Sequence, residues 1–178
     1  MGNYVVLFRA INVGGKRKVA MSDLTSLLEN VGCSKVTIYI QSGNVILTST
    51  KKTDALRNDI EKAFEKTFAF HSDVVIRSGE ELKDIVITNP FLDRPGNQVV
   101  VSFLVAPPVE NAEYDLRKGY KGDEQYKIIN NNMYIYYPHG LGRSKFSGAY
   151  LDKKLGTMGT MRNIFTVTKL LDMIQSIH

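Results

Sequence analysis

Val36-Thr37-Ile38-Tyr39-Ile40-Gln41-Ser42-Gly43-Asn44-Val45-Ile46-Leu47-Thr48 is the stretch on which the reading of the fold turns. Val36, Ile38 and Ile40 alternate with Thr37 and Tyr39, the period of two that marks a strand. Ser42-Gly43-Asn44 carries turn chemistry, and Val45 to Thr48 returns as a second strand. Toward the N-terminus, Ser22 offers a cap for a helix with Leu24, Leu27, Leu28 and Val31 on one face and Gly32 at its end. Ahead of it lie a Gly-containing loop, Ile11 to Ala20, and the continuous apolar run Tyr4 to Phe8, a buried strand. Toward the C-terminus, Thr53 or Asp54 opens a helix with Leu56, Ile60, Ala63, Phe64 and Phe68 at helical spacing, and Asp73 to Arg77 forms a fourth strand.

That order, β-α-β-β-α-β, is the split β-α-β of ferredoxin-like folds. Ser78 and Glu81 then form a capping box for a short helix carrying Leu82, Ile85 and Val86. Asn89-Pro90 and Arg94-Pro95-Gly96 break the chain, and the pattern starts again. Val99 to Val105 reads as a strand, Glu110 to Lys118 as a short helix, and Tyr126 to Ile129 with Met133 to Tyr137 as a hairpin about Asn130-Asn131-Asn132. Two helices close the chain, about Phe146 to Leu155 and about Asn163 to Ile177. The second half thus reads β-α-β-β-α-α, similar to the first in order only. The first strand of each half is apolar on both faces: Val6 and Phe8 oppose Val5 and Leu7, and Val99, Val101 and Phe103 oppose Val100 and Leu104. Such strands imply sheets covered on both sides. The expected architecture is α+β, two ferredoxin-like halves packed together, over residues 1–80 and 81–178, with a homodimer open as a further means of cover.

Composition sets outer bounds. The 178 residues are 43% hydrophobic and 23% charged, a globular balance. One cysteine excludes a disulfide framework and a four-cysteine zinc site. No apolar run approaches the roughly 20 residues of a membrane span, and Tyr4 to Phe8 is too short for a signal-peptide core, so a cytoplasmic protein is expected. The net charge of +5 is segregated: +4 over residues 1–78, −3 over 79–134 and +4 over 135–178. A duplex-binding domain would show a denser basic stripe. The cations cluster in loops, at Lys16-Arg17-Lys18, Lys51-Lys52 and Arg143-Ser144-Lys145, which suits a small anion as well as a polymer, or simply a solvated surface.

Four places offer chemistry, each beside a plainer reading. In Asn12-Val13-Gly14-Gly15-Lys16-Arg17-Lys18, glycines could turn backbone N–H groups toward an anion, or merely satisfy a turn. The spacing is not that of a P-loop. With the first and third strands read as adjacent and parallel, Lys51 and Lys52 would join Lys16, Arg17 and Lys18 on one rim. In His139-Gly140-Leu141-Gly142-Arg143-Ser144-Lys145, arginine offers a fork, serine a hydroxyl and lysine a point charge, or the segment only leads into a helix. It lacks the third glycine of a dinucleotide fingerprint. Arg162, read into the first turn of the last helix, sits against the helix dipole and needs an anion or a salt bridge to Asp152. Tyr126, Tyr134, Tyr136 and Tyr137 on one hairpin suit base stacking or, with covered sheets, cross-strand packing. The site residues singled out are Lys16, Arg17, Lys18, His139, Gly142, Arg143, Ser144, Lys145 and Arg162.

Catalytic groupings are thin. A Ser144–His139 pair lacks a third group to orient the base. His71 reads as a structural hydrogen-bonding residue, His178 as a mobile end, and Cys33 as a small buried hydrophobe. No metal-ligand spacing stands out, and no cofactor is expected.

Several segments together resemble one family: Leu7-Phe8-Arg9-Ala10-Ile11-Asn12-Val13-Gly14-Gly15-Lys16, Lys18-Val19 with Met21, Tyr39-Ile40-Gln41-Ser42-Gly43-Asn44-Val45, Gly142-Arg143-Ser144-Lys145, Lys153-Lys154-Leu155-Gly156, and Thr160 with Arg162-Asn163, Thr166-Val167 and Lys169-Leu170. This is similar to the bacterial family catalogued as domain of unknown function 1697. Ala10 and Ala20 stand where that pattern carries Gly and Pro. The resemblance implies ferredoxin-like halves in a bacterial protein and brings no activity with it. The residues themselves point to a binding protein whose basic, Gly-containing loops hold a phosphate-containing or other anionic ligand. The alternative is a nucleic-acid-binding protein using the same loops, and an enzyme acting on a phosphate-containing substrate stays open.

Overall fold

The apolar run at the N-terminus becomes the inner strand of a four-stranded sheet. In the computed structural model, which describes residues 1–177, the first unit runs β1 (Gly2–Phe8), α1 (Met21–Asn30), β2 (Ser34–Tyr39), β3 (Asn44–Ser49), α2 (Thr53–Phe68) and β4 (Val74–Ser78), followed by α3 (Gly79–Ile87). The strand order is β2-β3-β1-β4 and each neighbouring pair is antiparallel. Here the expectation for β1 and β3 is corrected. They are adjacent, but Gly2 lies opposite Ser49 and Leu7 opposite Asn44, so they run in opposite directions. The crossover through α1 leaves β2 parallel to β1, and the tight β2–β3 hairpin reverses the chain before β3 slots between them. Loops after β1 and β3 therefore open at opposite ends of the sheet, and Lys51 and Lys52 cannot share a rim with Lys16 to Lys18.

Side-chain alternation divides the sheet. Val6, Phe8, Val45, Leu47, Val74 and Ile76 pack on Leu24, Leu28, Leu56, Ile60 and Phe64 of the two helices. The Phe64 ring lies 5.3 Å from that of Phe8 and 5.2 Å from that of Phe70. On the opposite face Val5, Leu7, Ile46 and Val75 are buried as well, as strands apolar on both sides require. Helix α1 starts two residues earlier than a Ser22 cap would place it. Ala20 is the N-cap, without a side-chain bond, and Ser22 falls inside the first turn. The capping box of α3 does form, with Ser78 N–H donating to Glu81 Oε2 (2.7 Å) and Glu81 N–H to Ser78 Oγ (3.2 Å).

The second unit repeats the plan: β5 (Val99–Leu104), α4 (Ala112–Gly119), β6 (Gln125–Ile129), β7 (Asn132–Tyr136), α5 (Gly148–Leu155) and β8 (Gly159–Asn163), leading into α6 (Ile164–Gln175). Its order, β6-β7-β5-β8, is again antiparallel throughout. Val100, Leu104, Met133 and Ile135 meet Leu116, Phe146, Leu151 and Leu155 on the helix side. Strand β8 is the element that the sequence pattern conceals. Gly159-Thr160-Met161-Arg162-Asn163 has one large apolar residue and reads as a loop, yet it pairs along β5 from Val100–Asn163 to Leu104–Gly159. Backbone pairing to a buried central strand overrides weak local propensity. The second half is therefore a complete β-α-β-β-α-β, and α6 starts after Asn163. By internal contacts the units are Met1–Asp84 with the segment from Lys169, and Ile85–Thr168; the end of the chain, read as part of the second half, counts with the first.

Candidate functional site

The connection from β1 to α1 is a miniature hairpin rather than an open cradle. Gly14 and Gly15 have φ of +59° and +73°, the pair of left-handed residues that a two-residue hairpin turn needs. Lys16 N–H donates to the Val13 carbonyl and Asn12 N–H to the Arg17 carbonyl, each at 3.1 Å. The glycines thus serve turn geometry, and the Lys16 amide is occupied. Asn12, itself at φ +55°, ties the hairpin down. Its Nδ2 donates to the carbonyls of Val19 and Gln41, both at 3.0 Å, and its Oδ1 accepts from Val19 N–H at 2.8 Å. Phe8 and Ile11 pack against the β2–β3 turn so closely that a Cβ on Gly43 would lie 2.8 Å from Phe8 Cβ and 2.9 Å from Ile11 Cδ1.

This scaffold presents Lys16, Arg17 and Lys18 to solvent. The Arg17 guanidinium lies over the Phe70 ring, 5.6 Å from its centroid. Among the described residues none of the three makes an ion pair. At the same end of the sheet Arg9 Nη1 lies 3.9 Å from Asp73, and His71 reaches Glu65 (3.7 Å) and Asp73 (3.4 Å), the structural role read for it. Lys51, at the far end, is tied internally. Its Nζ donates to the Val31 carbonyl (2.9 Å) and to Asp59 (2.6 Å), and this hydrogen bond with the attendant charge holds the Asp59 carboxyl below its ordinary range.

The loop His139–Lys145 has a different character. The Ser144 hydroxyl donates to Glu124 Oε1, and its Oγ accepts from Phe146 N–H at 2.9 Å. Tyr120 OH donates to the other carboxylate oxygen at 2.7 Å, and His139 lies 3.4 Å from Asp123. Burial pushes the Glu124 carboxyl up, but the Ser144 and Tyr120 hydroxyls outweigh it and the net shift is downward. Burial and the Glu124 bond together push the Tyr120 phenol up. Gly122 makes room for this arrangement, since a Cβ there would collide with Glu124 and Tyr120. Gly142, Arg143 and Lys145 are exposed. Ser144 and His139 share no hydrogen bond, so the nucleophile pairing does not assemble. Glu124 escaped the sequence reading because no pattern links it to a serine twenty positions on.

The geometry joins three of the segments that carry the family likeness, since Asn12 in the first bonds Val19 in the second and Gln41 in the third. The sequence profile described as "Protein of unknown function (DUF1697)" matches residues 1–134, the larger part of the chain. The chain belongs to the DUF1697 family. No curated protein matches this DUF1697 chain. Among solved structures it is similar to "conserved bacterial protein SP0830 from Streptococcus pneumoniae", at 24% identity over 97% of this chain and 98% of that one, with a TM-score of 0.76. At that identity the likeness shows the fold.

The remaining candidates of this DUF1697 protein are engaged in internal contacts. Arg162 lies on β8, not in a helix turn, and its guanidinium donates to Thr160 Oγ1 and the Met161 carbonyl, both at 2.8 Å. Burial lowers its pKa to about 10. Asp152 accepts from Gly159 N–H at 3.0 Å. The tyrosines pack: Tyr134 OH donates to the Ile85 carbonyl, Tyr137 OH to that of Phe146, Tyr126 stacks on Phe146, and Tyr136 lies against Phe91 and Arg94. Burial pushes the Cys33 thiol up, against Lys51, as befits a small buried hydrophobe. His178 lies outside the described residues. Among those residues no helix is long and apolar enough to cross a membrane.

Proposed function

We propose that this DUF1697 protein binds a phosphate-containing or otherwise anionic ligand, with Lys16, Arg17 and Lys18 as the grip. The observation that carries this reading is the fixed hairpin, which holds three exposed cations without an ion pair among the described residues. A preorganised loop spares an arriving anion part of the ordering cost of binding. Lysine supplies point charge and arginine a planar fork, both suited to phosphate. In the second unit Arg143 and Lys145 add positive charge, but Glu124 takes the Ser144 hydroxyl and would repel an anion there. His139, Gly142, Arg143, Ser144, Lys145 and Arg162 therefore stand second to the first loop.

Calorimetric titration with sodium pyrophosphate tests the assignment. Saturable binding should weaken at least about tenfold, or roughly 1.4 kcal/mol, in the double variant Lys16→Glu/Lys18→Glu. Unchanged binding in that variant, with loss in Arg143→Glu, would move the grip to the second unit. A labelled single-stranded RNA whose affinity grows with length, with a log–log salt slope steeper than about −2, would turn the reading to nucleic acid.

A further inference from the structure

Ile40 is held in a conformation that suits it poorly, and only about half of its surface is covered. It is β-branched, sits at φ +52° and leaves 52% of its surface exposed. Left-handed backbone crowds Cβ against the next carbonyl, and for a branched side chain it is a genuine outlier. Such outliers cluster at ligand clamps. Val13 is 63% exposed. The bond from Asn12 Nδ2 to the Gln41 carbonyl ties the neighbours of these two residues together at 3.0 Å. Exposed aliphatic surface and unpaired positive charge therefore share one rim.

We propose that the ligand of this rim is a nucleoside phosphate, its phosphates against Lys16 and Lys18 and its base lying on Ile40 and Val13. The proposal rests on the anion-binding reading and adds the ligand's second half. Inorganic phosphate would use the cations alone. A sugar phosphate would present hydroxyls to two side chains that cannot bond them. An acyl chain calls for a groove, where this rim offers two side chains beside a turn. A base has a flat apolar face that aliphatic carbon can cover without hydrogen-bond readout, so the rim accepts any of the bases.

The test is titration of the intact protein with ADP and with pyrophosphate, in the natural sequence and in Ile40→Asn. Asparagine is at ease in left-handed backbone and removes the aliphatic surface. ADP should bind at least about tenfold more tightly than pyrophosphate. Ile40→Asn should reduce that preference to within about twofold and leave pyrophosphate binding unchanged; Val13→Ser serves the same comparison should Ile40→Asn fail to fold. Equal affinities for ADP and pyrophosphate in the natural sequence overturn the nucleoside assignment and leave the anion grip standing. Binding of neither overturns both. A single-stranded oligoribonucleotide that binds more tightly than ADP assigns the base to a strand, and one that binds equally or less tightly assigns a free nucleotide.

Discussion

With φ at +55°, Asn12 occupies backbone that asparagine tolerates better than most residues, and its amide group serves three hydrogen bonds to the loops on either side. Asn12→Ala should cost about 1–3 kcal/mol in urea unfolding, because it leaves the Val19 amide and two carbonyls to find other partners. Faster amide exchange at Val19 than at buried Leu24 would place the damage in the loop. Two neighbouring alanines suggest changes of the opposite sign. Ala10 has φ +55°, which glycine adopts without strain, and Ala20 has φ −71° and ψ 135°, which suits proline. Ala10→Gly and Ala20→Pro should each raise stability by about 0.5–1 kcal/mol, read as a shift in the denaturant midpoint at constant slope.

Between elements, the most informative bond joins the β7–α5 loop to the segment before β6, where Glu124 takes hydroxyl hydrogens from Ser144 and Tyr120. Its carboxyl titrates below the ordinary range when folded, so it contributes stability above the unfolded pKa and loses it as pH falls through the folded one. Between about pH 5 and 3, the natural sequence should lose more stability than Glu124→Gln. Parallel acid profiles for the two proteins would show that the carboxylate adds nothing. Sheet edges show a second use of acidic side chains. At β4 the Val74 amide donates to Glu61 at 2.9 Å, and at β6 the Ile128 amide donates to Glu113 at 3.3 Å, which occupies N–H groups that an edge strand would offer to another chain. The two units also share a feature that their sequences hide. Arg77 lies opposite Val5 on β1, Arg162 lies opposite Val101 on β5, and burial lowers the pKa of both guanidiniums.

For the molecule as a whole, charge is arranged by loop more than by fold. The cations proposed to act are exposed and screened by salt. Raising sodium chloride from about 0.05 to 0.5 M should weaken pyrophosphate binding on the order of tenfold, while the Tm of the protein alone moves little, since exposed pairs contribute little to stability. A binding constant indifferent to salt would show that Lys16 and Lys18 are not the grip. Apolar periodicity was enough to read the order of elements in the first unit, both buried sheet faces and the capping box of α3, because each rests on contacts within a few residues or on a simple repeat. Strand β8 was illegible, since its pairing comes from β5 more than fifty residues earlier. The direction of β3 against β1 likewise depends on where a hairpin inserts. At the site, the sequence by itself determined which loops carry cations and which glycines turn them, because turn chemistry and charge are local properties. Only the tertiary structure decided that Lys51 is tied to Asp59, that Ser144 belongs to Glu124, that Arg162 is a strand residue, and that Asn12 joins the cation-bearing loop to the β2–β3 turn at Gln41. Each of these is fixed by sheet topology and hydrogen bonding, on which local apolar pattern carries no information.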